Sequence, residues 1–153
     1  MVKMRRMTAG DRDAVLALKV SDDQTAFVDP IAETLSDRAP RCENFVIETQ
    51  GVIVGFFQID NSSGRQTIPE SLELHEVAVD ARHQGKGYGK AFILGLRKFL
   101  QDEFPEWPSA CLTVNCRNPT AYRLYELGGF VDTGRLHLAG RSGPQHIMQL
   151  NLS

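Results

Sequence analysis

Val77-Ala78-Val79-Asp80-Ala81-Arg82-His83-Gln84-Gly85-Lys86-Gly87-Tyr88-Gly89-Lys90 runs from a β-branched stretch through a glycine-rich turn into residues 91–104. In those residues Phe92, Ile93, Leu96, Phe99 and Leu100 recur at helical intervals. A strand feeding a glycine turn that opens a long amphipathic helix aims several backbone N–H groups, and the positive end of the helix dipole, at one place. Such a place binds anions and suits phosphate. Glycines belong there because a side chain would hold a ligand's phosphates away from the backbone. The string is not a P-loop, since Gly87 follows Lys86 where GxxxxGK[ST] has its magnesium-binding Ser or Thr. Nor is it GxGxxG: Gly85, Gly87 and Gly89 fall at even spacing, and that motif opens an early βαβ unit. In isolation the string reads equally as an anion site or as a mobile loop.

Working outward, residues 2–7 read as a first strand. Thr8 precedes Asp11 by three residues, a capping-box pattern, and Ala14, Val15 and Leu18 follow at helical spacing. A second helical or irregular stretch covers 27–38, punctuated by Pro30 and Pro40. Residues 44–49 and 52–59 are β-branched runs on either side of Gln50-Gly51, a hairpin. Residues 61–69 are polar and form a loop, and 72–79 form another strand. On the other side, Pro105 and Pro108 stop the long helix. Residues 110–114 form a short buried strand. Residues 119–127 form a helix with Asn118 as N-cap and Pro119 at its first position, closed by Gly128-Gly129. Residues 130–138 and 146–152 alternate as two final antiparallel strands. The order β-α-α-β-β-β-α-β-α-β-β predicts an α/β (α+β) fold, a mixed sheet with helices on its faces.

The 153 residues are expected to form one domain over 1–153, without repeat or linker. A net charge of -2 offers no basic stripe for nucleic acid, so none is expected as a partner. No stretch approaches the ~20 apolar residues of a membrane span, and no membrane partner is expected. The basic N-terminus lacks the apolar run of a secretory signal. Cys42, Cys111 and Cys116 make neither a CxxC pair nor a His-rich metal pattern, so they read as idle thiols in a reducing cytoplasm, with no metal site expected.

Two blocks carry a family resemblance. Gln84-x-x-Gly87-x-Gly89, with its preceding strand and following helix, resembles the Q/R-x-x-G-x-G/A signature of the GNAT superfamily of N-acetyltransferases. Downstream, Asn118-Pro-Thr-Ala-Tyr-Arg-Leu-Tyr125-Glu-Leu-Gly-Gly-Phe130 is similar to that family's block N-x-x-A-x-x-L-Y-x-x-x-G-F. The element order is also the family's. The resemblance implies a mostly antiparallel sheet of about seven strands, splayed at its centre and flanked by about four helices. It also implies acetyl-coenzyme A as the acetyl donor.

The resemblance assigns roles residue by residue. Backbone amides around Gln84, Gly85, Lys86, Gly87, Tyr88, Gly89 and Lys90 would bind the pyrophosphate, with Lys86, Lys90 and Arg82 able to add charge. The pantetheine arm would pair with the strand at Val77, Ala78 and Val79. Asn118 would touch the cofactor besides capping its helix, and Asn115 assists or only ends its strand. Tyr125 matches the general acid. A thiol has a pKa of about 8.5, so a phenol near the sulfur can donate a proton as the C–S bond breaks. A primary amine, with a pKa near ~10, must shed a proton before or during attack. Glu73, His75 and Glu76 are the candidate bases. Strand alternation puts Glu73 and His75 on one face and Glu76 on the other, unless a bulge intervenes. Glu73 matches the position of a catalytic glutamate in several family members.

The acceptor is expected to be a small amine. Residues 18–28 with Glu33-Thr-Leu-Ser36 resemble the spermine/spermidine acetyltransferase subgroup, although His75-Glu76 stands where such members often carry an arginine-containing strand. Asp22, Asp23, Asp29 and Glu33 would suit a cationic polyamine, and equally read as solvated helix ends. A protein N-terminus, a lysine, an aminoglycoside or an amino acid remains open. So do a non-catalytic acyl-coenzyme A sensor and a nucleotide site. A homodimer through the C-terminal strands is the remaining expectation from the family.

Overall fold

Seven strands form one open sheet in the order β1-β2-β3-β4-β5-β7-β6. The computed structural model describes residues 2–20, 31–36, 42–62, 67–83, 85–138 and 143–153. Its strands are β1 (Lys3–Arg6), β2 (Cys42–Thr49), β3 (Val52–Asp60), β4 (Ser71–Val79), β5 (Ser109–Asn115), β6 (Val131–His137) and β7 (Gln145–Asn151). Its helices are α1 (Arg12–Leu16), α2 (Ile31–Ser36), α3 (Tyr88–Glu103) and α4 (Pro119–Leu127). All neighbouring strands run antiparallel except β4 and β5. The sheet is mixed and mostly antiparallel, as the element order and the resemblance predict.

Alternation gives the sheet two unlike faces. Phe45 and Ile47 of β2, Phe57 and Ile59 of β3, and Leu72 and Leu74 of β4 share a core with Phe92, Ile93, Leu96 and Leu100 of α3. Phe57 stacks on Phe45 with centroids 5.2 Å apart and meets Phe92 at 5.0 Å. The intervening residues Val46 and Phe56 face the other way and pack with Val15 and Leu18 beside α1. Among the described residues this second core is the smaller of the two, with Met7, Ile31, Leu35 and Ile53 packed against it.

Local signals set the element ends. Gln50 (φ 51°) and Gly51 (φ 80°) make the two-residue left-handed turn that matches strand twist and joins β2 to β3. Thr8 N–H donates to Asp11 Oδ2 at 2.7 Å and Asp11 N–H returns to Thr8 O at 3.0 Å. Asp11 thus reaches back to Thr8 as the pattern predicts, but the return bond comes through the Thr8 carbonyl, and the start opens a 3-10 turn and only a short α1. The long helix starts at Tyr88 rather than 91, because Gly87 in the left-handed region (φ 79°) turns the chain straight into it. The predicted stretch 27–38 is described only as α2, and Asp22, Asp23 and Asp29 lie outside the described residues.

Candidate active site

The parallel pair at the centre of the sheet comes apart. β4 and β5 are paired only at Ser71–Ser109, Leu72–Ala110 and Glu73–Cys111, whereas β5 stays paired with β7 from Ser109 to Asn115. Beyond Glu73, β4 pairs with β3 alone, and that stretch contains a bulge. Glu76 has φ 46°, and the β3 register shifts between Phe56 (opposite Ala78) and Gln58 (opposite His75). The result is a wedge open toward the C-terminal ends of both strands, the end where open sheets bind ligands.

The glycine loop stands at that end. Gly85 (φ 81°) and Gly87 (φ 79°) are both left-handed, and a Cβ added to either would meet nothing within 4 Å. The left-handed turn geometry is what calls for glycine, since neither position lacks room for a side chain. Gly87 is the N-cap of α3, and among the described residues no side-chain hydrogen bond caps that helix. The first-turn N–H groups of such a helix suit a pyrophosphate. Lys86 and Lys90 are exposed beside it, and Tyr88 tilts toward His83 with ring centroids 6.0 Å apart. Gln84 lies outside the described residues. Arg82, considered as a further phosphate contact, is committed elsewhere. Its guanidinium bonds Asp80 (Nη2–Oδ2 2.6 Å) and Ala17 O (3.2 Å).

The other predicted residues lie on β4, at the end of β5, and at the start of and within α4. Val77 packs into the α3 core, Ala78 faces the opposite way, and Val79 completes β4. Asn115 and Asn118 are both buried. Asn118 Oδ1 accepts from Ala121 N–H at 3.3 Å and so caps α4, as its position predicts. Asn115 Oδ1 accepts from Arg117 N–H at 2.8 Å and shapes the turn into α4. Tyr125 on α4 is half-buried, with its ring edge-to-face on Phe130 at 5.9 Å. Burial, and after it the negative charge of Glu76, push its phenol up to about 12. Glu76 and Tyr125 thus share one environment, and the phenol stays protonated in neutral solution.

Glu73 and His75 sit together on the other face, 3.4 Å apart (Oε2–Nε2), as alternation predicts. Glu73 Oε1 also accepts from Thr67 N–H at 2.7 Å and from the Cys111 thiol at 3.7 Å. Burial and the Glu73 carboxylate push that thiol up to about 12, so Cys111 is an inert neutral donor. The three candidate bases are therefore divided, with Glu73 and His75 in one polar cluster and Glu76 beside Tyr125. Two neighbours of that cluster carried no signal in the sequence. Cys42 is the cross-strand partner of Asp60, and Asp60 that of Glu73. The register of the β2–β3 hairpin would have paired them only with the irregularity at Ile47/Glu48 taken into account.

A mostly antiparallel sheet whose one parallel pair parts beyond its first three residues, followed by a glycine-headed helix, is the fold that the resemblance implies. Residues 12–130 match the model of the acetyltransferase (GNAT) family, so the chain belongs to that family and is an acetyl-transferring enzyme. It is similar to YbbJ, an uncharacterized N-acetyltransferase of Bacillus subtilis, with 35% identity over 120 residues, covering 74% of this chain and 71% of the relative. It is also similar to the spermine/spermidine N(1)-acetyltransferase of the same organism, with 28% identity over 150 residues, 91% of this chain and 93% of that one. The spermidine N-acetyltransferase of Vibrio cholerae, solved in complex with CoA and spermine, shares the fold. Its TM-score is 0.71 at 22% identity, over 99% of this chain and 95% of that one. The ribosomal-protein-S18-alanine N-acetyltransferase of Escherichia coli fits as well, with TM-score 0.71 at 22% identity over 100% and 95% of the two chains. Among the described residues no helix is long and apolar enough to cross a membrane.

Proposed function

We propose that this enzyme moves an acetyl group from acetyl-coenzyme A to a primary amine by direct attack, with spermidine or spermine as the acceptor. The observation that carries the donor half is the wedge itself. β4 and β5 part beyond Glu73 and Cys111, just where the uncapped first turn of α3 stands. The backbone N–H groups from Gly85 to Lys90 bind the pyrophosphate, and the freed edge of β4 at Val77–Val79 receives the pantetheine arm. Bound there, acetyl-coenzyme A supplies a thioester carbonyl that a neutral amine can attack. Asn118, besides its cap, contacts the bound cofactor in this reading.

The chain's own groups manage the protons. Tyr125 holds its proton, because burial and Glu76 raise the phenol, and donates it to the departing sulfur as the C–S bond breaks. Glu73 takes up the proton that the attacking nitrogen must lose, directly or through a water. His75 lies 3.4 Å from it and extends the polar path to solvent. The polyamine reading is supported by the likeness to a spermine/spermidine N(1)-acetyltransferase over nearly the whole chain and by the paired carboxylates of Asp60 and Glu73 on the sheet face away from α3. Cations gather where carboxylates share one face.

An acceptor screen with acetyl-coenzyme A, reading released thiol, tests both halves. The panel holds spermidine, spermine, an aminoglycoside, a free amino acid, a lysine peptide and an alanine-headed peptide. Thiol release with the polyamines is the expected result. Release only with another amine keeps the transferase and replaces the acceptor. Release with none, together with thermal stabilisation by acetyl-coenzyme A, would make the chain a binder rather than a catalyst.

A further inference from the structure

Three adjacent strands bring a thiol, a carboxylate and an imidazole together on the sheet face away from α3. Cys42 of β2 and Asp60 of β3 are direct cross-strand partners, and His75 of β4 stands opposite Gln58, one step along the same face. Cys42 Sγ, a carboxylate oxygen of Asp60 and a ring nitrogen of His75 all lie within 4.8 Å of one another. Ligand atoms around a tetrahedral ion with bonds of about 2.0–2.3 Å stand about 3.3–3.8 Å apart, so modest side-chain rotations bring the three onto one centre. All three residues are half-buried, which strengthens their interaction with a cation and still leaves a path in.

The donor set selects the ion. A thiolate with an imidazole suits zinc and its transition-metal neighbours, whereas magnesium and calcium require oxygen donors throughout. Deprotonated Cys42 and Asp60 supply two negative charges beside a neutral His75, which balances a divalent cation. Three protein ligands leave a fourth position for water. The surroundings fix the ligands. Asp60 Oδ1 accepts from Ser62 N–H at 2.9 Å and from its hydroxyl at 2.6 Å. Glu73 Oε2 lies 3.4 Å from His75 Nε2, so with the metal on Nδ1 the other nitrogen donates to Glu73. A carboxylate behind a metal-bound histidine sets its tautomer and its ring orientation.

We propose that Cys42, Asp60 and His75 form a binding site for a zinc-class divalent cation, with Glu73 orienting His75. The site shares Asp60, His75 and Glu73 with the acceptor side of the proposed reaction, but its test reads metal rather than turnover, so its failure and the failure of that reading are distinguishable.

The test uses the full chain freed of metal by chelation. Cobalt(II) is expected to bind at one equivalent with sulfur-to-cobalt charge-transfer absorption, and zinc to displace it. Cys42→Ser abolishes that absorption, whereas Cys116→Ser, which removes the exposed cysteine, keeps it. Asp60→Asn and His75→Ala weaken zinc by more than the ~10–100-fold expected of the outer variant Glu73→Gln. A second measurement needs no variant: zinc should slow alkylation of Cys42, read on its peptide by mass spectrometry, and leave Cys116 unchanged. Three results would each overturn the site: no sulfur–cobalt absorption, absorption that survives Cys42→Ser, or Cys42 alkylation indifferent to zinc.

Discussion

Asp80 Oδ2 and Arg82 Nη2 stand 2.6 Å apart at the junction where β4 becomes the glycine loop. Asp80 is 1% exposed, and its carboxylate also accepts from the backbone N–H of Arg82 at 2.8 Å and of Lys19 at 3.4 Å. One carboxylate therefore ties the chain after α1, the end of β4 and the approach to the loop. The Arg82 guanidinium, helped by those N–H groups, outweighs burial and holds the carboxyl down to about 2. A folded-state value below the unfolded one gives stability that is present above the unfolded pKa and is lost as pH falls through the folded one. The wild-type thermal midpoint should thus fall between about pH 4 and pH 2 more steeply than that of Asp80→Asn. At neutral pH the variant should be less stable by about 1–3 kcal/mol, measured by urea denaturation. Equal acid slopes in the two proteins would remove Asp80 from the acid response.

Gly87→Ala separates the loop's conformation from its binding. The cost of φ 79° to an L-residue is about 1–2 kcal/mol, since the added methyl meets no atom within 4 Å. That methyl does enter the space where a pyrophosphate would lie. The KM for acetyl-coenzyme A should rise about tenfold or more, equivalent to roughly 1.4 kcal/mol. Gly51→Ala is the control, because Gly51 has φ 80° and equally open surroundings, in the β2–β3 turn. It should lose the same stability and leave KM unchanged. Equal KM effects in the two variants would mean that the loop acts only through folding.

Much of this fold is legible because its signals are local. The Gln50-Gly51 turn, the Asn118-Pro119 helix start and the alternation that puts Glu73 with His75 each depend on a few neighbouring residues. Long-range consequences of small irregularities are not legible in this way. The shift at Ile47/Glu48 moves the partner of Cys42 by one residue, to Asp60, and no residue type there announces it. The bulge at Glu76 places a non-glycine residue at φ 46°, against its own preference, and this opens the wedge between β4 and β5. Arg82 illustrates the same limit. Its charge beside a phosphate loop suggested a ligand contact, whereas its buried partner two residues upstream becomes apparent only in three dimensions.

The two glycines that close α4 serve different needs. Gly129 has φ 99° and supplies the left-handed residue, while Gly128 has φ -79°, which any residue can adopt. Gly128 is required for space, because a Cβ there would stand 2.5 Å from Ile93 Cγ1 and 3.0 Å from Ile93 O. Gly128→Ala should therefore push α4 away from α3 and cost about 1–3 kcal/mol. Adding Ile93→Ala should cost less than the sum of the two single variants, because the clash and the cavity share one place. Strict additivity in a denaturation series would mean that Ile93 is not what the methyl meets.

Tyr125 and Glu73 can be told apart by pH. An ordinary phenol begins to lose its proton around pH ~9, and one raised to about 12 remains loaded there. Wild-type turnover should therefore show no alkaline fall from Tyr125 below that range. Tyr125→Phe should lower kcat by roughly 10²–10⁴-fold and leave binding of coenzyme A, read by calorimetry, close to wild type. Glu76→Gln removes one of the influences that raise the phenol, so it should move the alkaline limb to lower pH. Glu73→Gln acts at the other end of the reaction, where the amine must lose its proton. Its rate should fall by a similar ~10²-fold or more at neutral pH and recover as pH rises and more amine is already neutral. A rate for Glu73→Gln that stays low at every pH would instead assign Glu73 to holding Thr67 and Cys111 in place, and would leave Glu76 as the base beside Tyr125.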